Sequence, residues 1–233
     1  MAEIYRTVAF LPLARGAPTR DDRRMNVEIL LFDGFDELDA LGPWEVFAGV
    51  AAVRDDVTAS LVTLEGAREV PADHGLVVQA QGALSARPDL LLVPGGGWFD
   101  RTPGGVWAQV QRGALPAAIA ERHAAGSIVA SVCTGAMLLA AAGVLDGHRA
   151  TTNPDALDDL RARGTVAVVE ARVVDDGDVL TAGAPACGID LALHVLERIG
   201  GPGLADAAAR ELRYERPARG VLVPGLQPVG ERA

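Results

Sequence analysis

Residues 128–142 read IVASVCTGAMLLAAA. The first five are apolar or small and rich in β-branched side chains, which predicts a buried strand, whereas residues 136–142 are all strong helix formers. A strand that runs through a short turn into a helix is typical of parallel α/β sheets. Residues 124–145 carry no charge, but their interspersed glycine and hydroxyl residues favour this arrangement over a membrane span.

The rest of the chain alternates short apolar runs with longer amphipathic ones, which predicts a mostly parallel sheet flanked by helices on both faces. The predicted strands are 27–32, 57–64, 76–78, 89–93, 128–132, 166–169, 172–174 and 179–181. The predicted helices are 36–53 with an interruption near Gly42-Pro43, 102–123 with breaks at Gly113 and Pro116, 136–142, 154–163, 188–199 and 204–212. We expect one domain over residues 26–216, an N-terminal extension over 1–25 and a C-terminal tail over 217–233.

The composition argues against several kinds of binding partner and excludes chemistry that depends on lysine. Of the 233 residues, 49% are hydrophobic and 22% are charged, which is typical of a globular protein. The net charge of −10 argues against nucleic acid or an anionic membrane as a partner and favours a small molecule. The chain contains no lysine, which excludes a phosphate-loop lysine and a lysine Schiff base.

The chain has two cysteines, Cys133 and Cys187. They are too few for a disulfide framework and lack the paired spacing of a zinc site, so a reducing cytoplasm is expected. Residues 1–25 contain several arginines without a continuous apolar run, and we do not interpret them as a signal peptide.

Cys133 is the principal candidate for chemistry. Ser131 and Gly135 lie two residues before and after it, as the small residues of a G-x-S-x-G nucleophile elbow do. Ligands of open α/β sheets bind beyond the carboxyl ends of the strands, where this residue is predicted to lie. The unpaired N–H groups of the following helix are expected to lower the pKa of the thiol below about 8.5. A buried structural cysteine is the alternative interpretation.

Several ordered motifs resemble those of the ThiJ/PfpI superfamily. They are Leu92-Val93-Pro94-Gly95-Gly96, Val132-Cys133-Thr134-Gly135-Ala136, Ala182-Gly183 and Gly188-Ile189-Asp190. The resemblance implies a flavodoxin-like α/β fold related to the class I glutamine amidotransferases. Two further segments, Leu38-Asp39-Ala40-Leu41-Gly42-Pro43 and Glu45-Val46-Phe47, are similar to the isonitrile hydratase branch.

This resemblance implies a role for each matching residue. Cys133 would be the nucleophile, Asp39 would carry a proton, and the Thr134 side chain would position substrate or water. The backbone N–H groups of Gly96, Gly97 and Thr134 would bind developing negative charge. The implied reaction converts an isonitrile through a thioimidate to an N-substituted formamide, without a metal or an organic cofactor, in a homodimer.

Alternatives remain open at this point. Glu45 could replace Asp39 as the acid, and Thr134 stands where hydrolase-like branches carry histidine. Asn153 stands where the hydratase branch often has histidine, and we expect it to lie at the substrate site. The four histidines are expected to have packing or surface roles. A redox-sensing or other non-catalytic stress or regulatory protein, and glyoxalase-like chemistry on reactive carbonyls, are the competing functions. A DNA-binding role is not expected, because the segment after Tyr214 is short and rich in proline and glycine.

Overall fold

The computed structural model of the protein describes residues 24–217 and the backbone of residues 221–222. Most of the predicted extension and tail therefore lies outside the described residues. The first strand begins at Met25, and the two-residue strand Val221–Leu222 belongs to the central sheet. The sheet thus takes in a segment of the predicted tail.

The central sheet has eight strands in the order β12-β10-β11-β7-β6-β1-β2-β5. The strands of the chain are β1 Met25–Leu30, β2 Val57–Thr63, β3 Glu69–Pro71, β4 Val77–Gln79, β5 Gly82–Ala83, β6 Leu90–Val93, β7 Ile128–Val132, β8 Arg149–Ala150, β9 Ala167–Val168, β10 Val173–Asp175, β11 Val179–Ala182 and β12 Val221–Leu222. All neighbours in this sheet are parallel except β10 and β11. The predicted, mostly parallel sheet is confirmed.

Two groups of helices pack against the sheet. The helices are α1 Glu37–Ala51, α2 Val106–Arg112, α3 Ala114–Ala124, α4 Ala136–Ala141, α5 Leu157–Arg161, α6 Cys187–Gly200 and α7 Pro202–Glu211. Helices α1, α6 and α7 contact one another, and α2, α3 and α4 form the other group. The described part of the chain therefore has a flavodoxin-like α/β architecture. No helix in it is long and apolar enough to cross a membrane.

The interruption predicted near Pro43 is wrong, because α1 runs through this residue. A proline offers no N–H to the carbonyl four residues earlier and normally kinks a helix. Here its ring is buried against α6: a Cβ added at Gly188 would lie 3.0 Å from the Pro43 ring. Tertiary packing thus outweighs the local preference.

Two other predicted helices differ in detail. Gly113, at φ +77°, separates α2 from α3 as expected, but Pro116 lies in the first turn of α3, where the missing N–H is tolerated, and causes no break. The predicted helix 154–163 is a 3₁₀ turn, Pro154–Ala156, followed by the short α5.

The polarity of the parallel strands defines the position of the site. Strands β6 and β7 are adjacent, and every residue of β6 is buried. After β1 the chain forms β2 and β5 on one side of β1, and it then returns to form β6 on the other side, so the direction in which strands are added reverses next to β1. Crevices beyond the carboxyl ends of strands at such a reversal are where open α/β sheets bind ligands.

A cluster of Asp–His pairs lies at the β10–β11 hairpin, away from Cys133. Asp175 accepts a 2.6 Å hydrogen bond from His194 Nε2, Asp176 contacts His148 Nδ1 at 2.9 Å, and Asp178 contacts His123 Nε2 at 3.1 Å. Asp175 is buried. Burial alone would raise the pKa of its carboxyl, but hydrogen bonds from His194 and the Gly177 N–H, together with the Arg198 charge, lower it overall.

Replacing this carboxylate is expected to destabilise the fold. We expect Asp175→Asn to lower the free energy of unfolding by about 2–3 kcal/mol, because charge-assisted hydrogen bonds in a buried setting are lost. The folded pKa lies below the ordinary 3.8, so this contribution is present above that pH and is lost as the pH falls through the folded pKa. Urea unfolding at pH 8 should show this difference from wild type, and the difference should shrink as the pH falls through the folded pKa of Asp175.

Asp178→Asn is the matched control. Its side chain is 60% exposed and has one histidine partner, so its loss should change stability by less than about 1 kcal/mol. An unchanged free energy of unfolding in Asp175→Asn would show that the Asp175 cluster does not stabilise the fold.

Candidate active site

Cys133 lies directly after β7, in the 3₁₀ turn Cys133–Gly135 that leads into α4. Its backbone adopts φ +55°, which is rare for a residue with a side chain and is typical of a nucleophile elbow. Gly135 allows the turn to pass close to β6, since a Cβ there would lie 2.3 Å from the Val93 carbonyl oxygen. The elbow predicted from the small flanking residues is present.

The turn after β6 forms the second wall of the site. The Gly95 N–H donates to Asp39 Oδ2 at 2.8 Å, and the Gly96 N–H donates to Thr134 Oγ1 at 3.0 Å. A Cβ on Gly95 would lie 2.5 Å from Thr134 Oγ1 and 2.8 Å from Asp39 Oδ2. Glycine is therefore required at residue 95. The sequence motif that contains Gly95 did not by itself indicate a role for this residue.

Asp39 is the carboxylate that the structure places at the thiol. It lies in the first turn of α1, which Asp36 caps, and it is fully buried. Burial and the nearby Asp36 charge raise the pKa of Asp39 well above its ordinary value, although the Gly95 N–H and the Cys133 thiol act in the opposite direction. Its Oδ1 atom has no hydrogen-bond partner in the described part of the chain. Glu45 lies exposed on the same helix.

Asn153 and its neighbour Thr152 close the site from a third side. Asn153 Nδ2 donates to Cys133 Sγ at 3.2 Å, while its Oδ1 caps the following turn by accepting the Asp155 N–H. The Thr152 hydroxyl donates to the Cys133 carbonyl oxygen at 2.9 Å. The sequence pattern indicated no role for Thr152, although Thr152 directly precedes Asn153, which the resemblance placed at the substrate site.

The pKa predicted for the thiol is wrong in direction. Burial, and next the negative charge of Asp39, raise the pKa of Cys133 to about 12, although the Asn153 amide and the Thr134 N–H favour the thiolate. The helix that follows has only six residues, and Cys133 is 6% exposed. Desolvation therefore outweighs the effect of the helix N-terminus.

The glycine N–H groups have different surroundings from those expected. The Gly96 N–H donates a hydrogen bond to the Thr134 hydroxyl, and this bond holds the Thr134 side chain in place. Gly97 packs against Thr102: a Cβ at Gly97 would lie 1.9 Å from the hydroxyl oxygen. The anion-binding role of the Gly97 N–H stays a prediction.

The second cysteine and the histidines lie outside these contacts. Cys187 is buried at the start of α6, and both cysteines are free thiols. All four histidines contact carboxylates elsewhere, since His74 pairs with Glu37 and the other three belong to the hairpin cluster. The thiol therefore has an acid–base neighbour in Asp39 and none among the histidines.

Comparison with known proteins places this geometry in a family. Residues 25–198 match the family model described as "DJ-1/PfpI family". An isonitrile hydratase from Pseudomonas putida is 32% identical over 192 residues, which cover 82% of this chain and 78% of that protein. A deglycase from Pyrococcus abyssi is 30% identical over 166 residues, or 69% of this chain and 91% of the relative.

A solved structure supports the same fold. The crystal structure of a ThiJ/PfpI family protein from Pseudomonas syringae aligns with a TM-score of 0.73 at 24% identity, covering 88% of this chain and 84% of that one. The match of the family model to most of the chain shows that the chain belongs to the DJ-1/PfpI family.

Proposed function

We propose that the protein hydrates an isonitrile to an N-substituted formamide, with Cys133 as nucleophile and Asp39 as proton carrier. The observation that carries this proposal is the pairing of a buried thiol with the buried carboxyl of Asp39, whose Oδ1 has no hydrogen-bond partner among the described residues. Each of the four histidines contacts a carboxylate elsewhere. An isonitrile is uncharged, so it can enter such a desolvated site without losing the hydration of an ion.

The first half of the reaction forms a covalent bond to sulfur. Cys133 Sγ attacks the terminal carbon of the isonitrile as Asp39 takes the thiol proton, and Asp39 then delivers this proton to the same carbon. The product is a thioimidate in which sulfur is bonded to a CH=N carbon. The raised pKa of Asp39 makes its carboxylate a stronger base and reduces the uphill cost of deprotonating a thiol whose pKa is about 12.

The second half releases the product. Asp39 accepts a proton from water as the water oxygen attacks the CH=N carbon, and Asp39 then delivers this proton to the nitrogen, which regenerates its carboxylate. The carbon–sulfur bond then breaks, sulfur recovers the remaining proton of the water, and the N-substituted formamide leaves. The Asn153 amide and the Thr134 N–H support the developing thiolate in both halves.

A reactive-carbonyl activity is the second candidate, because a thiol beside a proton carrier can also add to a carbonyl, and a deglycase is among the relatives. The deciding experiment incubates the wild-type protein in parallel with cyclohexyl isocyanide and with methylglyoxal. Formamide formation above the protein-free rate supports the hydratase proposal. Lactate formation without formamide would assign the carbonyl activity, and no product from either substrate would favour a non-catalytic role.

Asn153 offers a test of how the sulfur is stabilised. We expect Asn153→Ser to lower kcat/KM by about 10- to 150-fold, because a hydrogen bond to a developing charge contributes roughly 1.5–3 kcal/mol. Serine keeps a capping oxygen for the Asp155 N–H, so the 3₁₀ turn should persist. The measurement is steady-state kinetics of formamide formation, and wild-type kinetics in the variant would remove Asn153 from the mechanism.

We further propose, from the resemblance alone, a cytoplasmic homodimer. Light scattering should then return twice the chain mass of 24.2 kDa. A mass equal to that of one chain would contradict the proposed dimer without affecting the proposed chemistry.

A further inference from the structure

A second cleft lies beside the candidate active site, between the loop after Gly97 and helices α2, α4 and α5. Its volume is about 420 Å³, within the range of about 300–1,000 Å³ that is usual for small-molecule pockets. The side chains that matter for its chemistry are Trp98, Phe99, Arg101, Trp107, Asp159 and Arg163. We call this the aromatic cleft.

Aromatic surface is concentrated here. Aromatic residues make up 4% of the chain and include three tryptophans, yet two tryptophans and a phenylalanine line this one cleft. Phe99 is 55% exposed. Flat apolar rings that face a pocket suit a planar aromatic ligand, which can stack on them.

The cleft also presents two cations. The Arg101 guanidinium carbon lies 5.4 Å above the centroid of the Trp107 ring. An arginine held over an aromatic ring can still donate its N–H groups to a carboxylate in a fork geometry. Neither Arg101 nor Arg163 forms an ion pair with another residue in the described part of the chain.

The single acid of the cleft is already engaged. Asp159 Oδ2 accepts a 2.7 Å hydrogen bond from Trp98 Nε1, which orients that ring. Two arginines against one aspartate leave the cleft with a net positive charge, on a chain whose net charge is −10. This local reversal of sign favours an anionic ligand.

We propose that the aromatic cleft binds a small aromatic carboxylate, whose ring packs on the tryptophans and whose carboxylate is held by Arg101 and Arg163. Trp98 directly follows Gly97, and Met137, which also lines the cleft, lies four residues after Cys133. The cleft therefore adjoins the candidate active site. Cys133 is not among its lining residues, so binding does not depend on the thiol.

Calorimetric titration tests this inference on the full-length protein and on Cys133→Ser. The probes are 2-naphthoate, the neutral 2-naphthamide and the cationic 2-naphthylmethylamine. We expect naphthoate to bind about 10-fold or more tightly than the amide, since charge-assisted hydrogen bonds distinguish the two. The cation should bind weakest, and Cys133→Ser should bind naphthoate as the wild type does, whether or not the protein has hydratase activity.

Charge-removing variants locate the site. Arg101→Gln and Arg163→Gln should each weaken naphthoate binding and leave amide binding unchanged, and Trp107→Leu should weaken both ligands. Arg210→Gln is the matched control, since it removes the same charge from α7, in the other group of helices. Equal affinity for the three probes, tightest binding of the cation, no binding, or insensitivity to both arginine substitutions would overturn the proposal.

Discussion

Cys133→Ala is expected to reduce formamide formation to the rate measured without protein. The proposed reaction passes through a bond between Sγ and the isonitrile carbon, and alanine cannot form that bond. The remaining thiol, Cys187, lies at the start of α6 and is buried, and burial raises its pKa. The measurement is the initial rate of formamide formation, followed by chromatography, with the protein-free reaction as baseline.

The control for this substitution is Cys187→Ala. It removes a buried thiol of the same type and should leave the rate close to that of wild type. Circular dichroism should show both variants folded. Substantial turnover in Cys133→Ala, or its loss in Cys187→Ala alone, would contradict the assignment of the nucleophile.

Asp39→Asn is expected to lower kcat by about 10²–10⁴-fold, the usual contribution of a positioned acid or base. The amide has the shape of the carboxyl and keeps an oxygen that can accept the Gly95 N–H, so the fold should be retained. Its side chain cannot carry a proton between sulfur, carbon and water. Steady-state kinetics at saturating substrate measure the loss in kcat, and single-turnover kinetics measure the loss in the chemical step.

The pH profile provides a second readout for Asp39. The active form is the carboxylate, so the wild-type rate should fall as the pH drops through the folded pKa of Asp39. Burial raises that pKa above the ordinary 3.8, and the acidic limb should therefore lie above pH 3.8. The limb should be absent from Asp39→Asn.

Glu45→Gln separates the two carboxylates that the sequence left open. It removes the same charge from the exposed part of α1, and its turnover should equal that of wild type. If Glu45→Gln lost activity while Asp39→Asn retained it, the proton carrier would be Glu45.

Much of the architecture could be predicted from local pattern. The run at β6 is apolar throughout, and the run at β7 is interrupted only by Ser131; such nearly continuous runs indicate strands buried on both faces. The small residues around Cys133 indicated the elbow, because a tight turn against a neighbouring strand leaves no space for larger side chains. These features depend on a few consecutive residues.

The features that the sequence did not predict depend on distant residues. The continuous α1 depends on the contact between Pro43 and Gly188, and the raised thiol pKa depends on burial and on Asp39. The burial of Asp39 beside Gly95, with Glu45 exposed on the same helix, likewise depends on where α1 packs. Local spacing contains no information about desolvation, so the pKa expected from the helix N-terminus had the wrong sign.

The site joins segments that are far apart along the chain: 56 residues separate Asp39 from Gly95, 38 separate Gly96 from Thr134, and 20 separate Cys133 from Asn153. Contacts of such long sequence separation form slowly, because the entropy of closing the loops is lost before the contacts stabilise the chain. In a partly folded chain, Cys133 would not yet be in contact with Asp39 and Asn153. Recovery of the proposed hydratase activity during refolding would thus report the last stage of sheet assembly, later than the recovery of helical circular dichroism.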